Sequence, residues 1–94
     1  MKKNKPSELS EHLTTLIANQ LLVISEASKQ EQHAELSSLM AYELFDTLDW
    51  ARRNLKKQLL RSISAKVRLQ VPEILSQPCD LEQIEDFAES KMRC

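Results

Sequence analysis

The chain of 94 residues contains no glycine. Phosphate-cradling loops, dinucleotide-binding fingerprints and nucleophile elbows all need a backbone position without a Cβ, so these motifs are absent, and most familiar cofactor sites are not expected. There are only three prolines, which together with the missing glycine leaves little turn chemistry for a β-sheet, and aromatic residues, at 4%, offer few platforms for stacking nucleic-acid bases. The two cysteines, Cys79 and Cys94, lack paired spacing and have no histidine nearby. They read as reduced thiols rather than as a disulfide framework or a metal site. The longest apolar run, Leu21-Leu22-Val23-Ile24, falls far short of the roughly 20 residues that cross a bilayer. The basic opening Lys2, Lys3 and Lys5 leads into Pro6-Ser7-Glu8-Leu9-Ser10-Glu11, which is polar where a signal peptide would be apolar. These features predict a soluble, cytoplasmic protein with no integral membrane segment and no cofactor.

The residues that are abundant, leucine, serine, glutamate, lysine and glutamine, suit long helices, and an all-α fold is expected. Residues 1–5 form a basic tail, and residues 6–94 a single helical domain. Leu9, Leu13, Leu16, Ile17, Leu21, Ile24 and Ala27 keep i, i+3, i+4 spacing and predict a helix over about 7–27. Leu22 and Val23 widen its apolar face, as if it touched more than one neighbour. Ser28-Lys29-Gln30-Glu31 fits a capping box and places a break there. Ala41, Leu44, Leu48, Ala51, Leu55, Leu59 and Ile63 then continue one stripe, predicting a helix over about 31–69. Val71-Pro72 ends it. Asp80-Leu81-Glu82-Gln83 is a second cap, opening a helix over about 81–92. The expected architecture is an antiparallel hairpin of two long helices plus a short C-terminal helix. Because the second helix outruns the first, its leftover apolar stripe predicts dimerisation into a helical bundle.

The charges are sorted along the chain although the net charge is only −1. Arg52, Arg53, Lys56, Lys57, Arg61, Lys66 and Arg68 fall between Ala51 and Pro72 without one acid. Such a run is a solvated face, a docking surface for an acidic partner, a nucleic-acid contact or a membrane-surface helix. The acidic face of the C-terminal helix, Glu82, Glu85, Asp86 and Glu89, is available to neutralise part of it. Trp50 lies nearly opposite the Leu48–Leu55–Leu59 stripe, with Leu39 on the same side, where an aromatic residue either packs on a further helix or anchors a partner.

Catalysis has little to stand on. Glu43, Asp46 and Asp49 sit beside Arg52, Arg53 and Lys57 at charge-pair spacing, and His12 and His33 are isolated. The expectation is therefore a binding protein, not an enzyme: an adaptor, regulator or chaperone-like module acting by helix-face docking. Leu39, Tyr42 and Trp50 are its anchors, and Arg53, Lys57, Arg61 and Arg68 its charged rim. The alternative is a nucleic-acid-binding protein that uses the basic segment 52–68.

Overall fold

The computed structural model describes residues 6–75 and 80–92, and all of the regular structure among them is helical. The basic tail and Cys79 and Cys94 lie outside the described residues. Four α-helices pack together: α1 (Pro6–Ser28), α2 (Ala34–Asn54), α3 (Lys57–Gln70) and α4 (Leu81–Met92), with a 3-10 turn at Glu31–His33 before α2. The main interfaces are α1 with α2, α2 with α4, and α1 with α3, while α3 and α4 barely touch each other.

One continuous core joins them. Leu13, Ile17, Leu21 and Ile24 of α1 meet Ala41, Leu44 and Leu48 of α2, Ile63 and Val67 of α3, and Leu81, Ile84 and Ala88 of α4. Full burial of each large aliphatic chain contributes about 1.5–3 kcal/mol, and small residues such as Ala41 and Ala88 let the helix backbones approach. Gln20 and Ser37, which break the apolar repeat in the sequence, are both buried. Gln20 Nε2 donates to Thr47 Oγ1 across the α1–α2 interface at 3.2 Å, and Thr47 Oγ1 donates in turn to the Glu43 carbonyl.

The single helix expected over 31–69 is instead two. A straight helix of that length needs about 55–60 Å, whereas the described residues span 46 × 31 × 20 Å. The chain breaks at Leu55 (φ −121°, ψ 152°) and Lys56 (φ −75°, ψ 156°), both extended. A straight continuation would carry Ile63 and Val67 past the end of α1, which at 23 residues is about 34 Å long. Turning back buries both. The break costs little in hydrogen bonding, because Leu55 N–H still reaches the Ala51 carbonyl at 2.9 Å and Asn54 Nδ2 donates to the Trp50 carbonyl at 2.8 Å.

The two expected caps fare differently. Ser28 ends α1 rather than opening α2: its Oγ donates to the Ser25 carbonyl at 3.0 Å, and Lys29 and Gln30 N–H groups close the last turn on Glu26 and Ala27. No side chain caps the start of the 3-10 turn or of α2. Asp80, by contrast, accepts from Gln83 N–H through Oδ1 at 3.1 Å, which is the N-cap bond that Asp80-Leu81-Glu82-Gln83 foretold.

Candidate partner-binding faces

Because α2 lies between α1 and α4, its buried stripe of Ser37, Ala41, Leu44, Leu48 and Ala51 points into the core. At about 100° per residue, Leu39, Tyr42, Asp46, Trp50 and Arg53 fall on the opposite side. Leu39 is 64% exposed, Tyr42 52% and Trp50 46%. Trp50 therefore packs fully on neither neighbour of α2. Leu39 and Trp50 are about 16 Å apart along the helix, with exposed Glu43 and Asp46 between them. Arg53 closes the face at its C-terminal end and pairs with Asp49 at 3.2 Å.

The four basic residues expected to rim Trp50 are divided between two helices. The break at Leu55–Lys56 leaves Arg53 on α2 and puts Lys57, Arg61 and Arg68 on α3. Lys57 and Arg61 line an open cleft of about 370 Å³ with Arg52, Leu60, Asp80, Leu81 and Glu82. Arg68 lies further along α3, half-buried, with Nε shielded from water and unpartnered.

Neutralisation by the C-terminal helix is selective. Arg52 makes a bidentate contact with Glu85 of α4, through Nη2 to Oε1 at 2.6 Å and Nε to Oε2 at 3.1 Å. Hydrogen bonding to Glu85, then its charge, raises the Arg52 pKa above the ordinary arginine value. Lys56, Lys57, Arg61, Lys66 and Arg68 have no carboxylate at ion-pairing distance among the described residues. Helix α3 contains no acid at all, whereas acids outnumber bases in α1, α2 and α4.

A third surface had only a faint sequence signal. Leu22, Val23 and Ala27 of α1, Gln30 and His33 of the turn, and Leu36 of α2 line a shallow, mainly apolar groove of about 390 Å³. Helix α1 does contact both α2 and α3, but Leu22 and Val23, which suggested that second neighbour, stay partly exposed in this groove. Their pairing with Leu36 depends on the turn at 29–33, which the sequence alone does not shape.

Among the described residues no cluster of three or more His, Cys, Asp or Glu could hold a metal ion. No helix among them is long and apolar enough to cross a membrane. Comparison with protein-family models, with curated proteins and with solved structures finds no match.

Proposed function

We propose that this chain is a protein-interaction module, an adaptor, regulator or chaperone-like subunit, that docks a partner on the outer face of α2. The supporting observation is the exposure of Leu39, Tyr42 and Trp50 on the side of α2 that faces away from its own core. Scattered exposed leucines need no explanation, but a tryptophan, a tyrosine and a leucine sharing one helix face form the kind of anchor set on which interfaces concentrate their energy. Glu43 and Asp46 between the anchors suit a partner with basic residues flanking an apolar stripe.

The architecture we favour for this module has α1 and α2 as an antiparallel hairpin, since the link between them is short and Gln20 meets Thr47 across it. Ile63 and Val67 of α3, which in a straight helix would have needed a second copy to cover them, are buried within one chain, and Leu59 and Leu60 are half-buried. A second copy is then one partner for the α2 face, not a requirement of the core.

The test is affinity capture with the native chain and a Leu39→Ser, Trp50→Ser variant side by side, followed by measured affinity for each protein recovered. The expected result is a partner whose affinity falls by at least about 100-fold in the variant, as two anchor losses of about 1.4 kcal/mol each would give. Equal affinity for a variant with native helicity would overturn the reading.

The unpaired bases of α3 favour a second reading, nucleic-acid binding. It predicts association with a mixed nucleic-acid pool that weakens steeply as salt rises and is almost independent of base sequence. Docking through Trp50 predicts weak salt dependence instead.

A further inference from the structure

The C-terminal half of the chain is built as an arm. Helix α3 packs on α1 and α4 packs on α2, while α3 and α4 make only slight contact with each other and α3 makes only slight contact with α2. What holds the arm in place lies between the halves: Ile63 and Val67 in the core with Ile17 and Leu21, the Arg52–Glu85 pair, and Ser38 Oγ donating to the Met92 carbonyl at 3.2 Å. Each of these contacts can form equally well with the first half of another copy.

The joint between the halves has nothing that compels a turn. Leu55 and Lys56 are neither glycine nor proline, and both have negative φ, so each could be helical. No side chain caps α3, and its first turn carries no acid. Lys56 and Lys57 instead stand at the positive end of the helix dipole, which disfavours them there. If the joint became helical, these lysines would move to mid-helix, and the N–H groups of residues 56–59 would gain the carbonyls of residues 52–55. The amphipathic periodicity across 41–63 is compatible with that straight form.

We infer that the joint at Leu55–Lys56 is an exchange hinge, and that two copies of this chain can swap their α3–α4 arms by straightening α2 and α3 into one helix over 34–70. In the exchanged dimer, α3 of each copy lies on α1 of the other and α4 on α2 of the other. Helix exchange of this kind is a low-cost route to dimers, because nearly all contacts are those of the monomer. The outer face of α2 is untouched, so this inference stands or falls separately from docking through Trp50.

Two hinge variants push in opposite directions. Lys56→Pro locks the closed form, since Lys56 already has a φ that proline allows, Leu55 has the extended geometry preferred before proline, and Lys56 N–H makes no backbone hydrogen bond. Asn54→Ala with Lys56→Ala favours the straight form, by removing the Asn54–Trp50 bond that supports the break and by raising helix propensity at position 56. Light scattering on chains refolded over a range of concentrations should show the Ala variant dimerising at a concentration about tenfold or more below the native chain, and Lys56→Pro staying monomeric. A Thr15→Cys, Lys66→Cys pair, with Cys79→Ser and Cys94→Ser, reports the topology, because Thr15 and Lys66 line one cleft between α1 and α3. Oxidation should link two chains in the dimer fraction and close within one chain in the monomer fraction. A dimer whose disulfide closes within one chain, or a native dimer that survives Lys56→Pro, would overturn the hinge. So would a native chain that stays monomeric at every concentration after refolding, even if the Ala variant fails to fold.

Discussion

Arg52 of α2 and Glu85 of α4 form a bidentate pair that ties the two halves of the fold together, with the Glu85 side chain 18% exposed and the Arg52 side chain 51%. Arg52→Ala should lower stability by about 1 kcal/mol in urea unfolding, a modest value because the Arg52 side chain is half exposed to water. The folded-state pKa of Arg52 is raised, so its contribution is complete below the unfolded arginine value and is lost only as pH rises through the still higher folded one. The loss caused by Arg52→Ala should therefore be the same at neutral pH and at about pH 10. A loss that vanished by pH 10 would contradict this assignment.

Buried serines offer the opposite change. Ser37 and Ser64 are fully buried, and neither Oγ has a hydrogen-bond partner. Desolvating a hydroxyl without a partner costs about 1–3 kcal/mol. Ser64→Ala and Ser37→Ala should each raise the urea midpoint, by the equivalent of about 1 kcal/mol. Destabilisation by either would mean that its hydroxyl is satisfied in solution.

Leu48 and Leu39 lie on opposite sides of α2, one fully buried and one 64% exposed. Leu48→Ala should cost about 2–5 kcal/mol through lost burial and the cavity left behind, while Leu39→Ala should change stability by less than about 0.5 kcal/mol. Thermal unfolding of the two variants measures the contrast directly. Similar losses would place Leu39 in an interface that the monomer does not show.

The Asp80 side chain caps α4. Asp80→Ala should cost about 0.5–2 kcal/mol, and Asp80→Asn much less, because asparagine caps nearly as well. Amide exchange in the first turn of α4 should speed up in the alanine variant and hardly change in the asparagine one.

How much of this was legible beforehand depends on the residue. Leu13, Ile17, Leu21 and Ile24 announced a buried face through spacing alone, and Asp80 announced a helix start through its own chemistry, because both signals act within a few residues. Ser28 carried the same local signal and misled, since helix α1 runs through it and its hydroxyl turns back to Ser25. The partition of the charged rim was beyond local reading: Arg53 and Lys57 are spaced as helical neighbours, and only the break between them puts them on separate helices.

The amino-acid sequence by itself determined that this protein is helical, which side of each helix is apolar, and that one stretch of chain would carry positive charge with no acid of its own. Those properties follow from the period of the α-helix and from composition, and they need no partner at long range. The tertiary structure decided where the long amphipathic stretch bends, which basic residue meets Glu85, and which apolar side chains remain in water. No glycine or proline marks Leu55–Lys56. The bend exists because folding back buries Ile63 and Val67 against α1, a gain available only when residues more than forty positions apart come together.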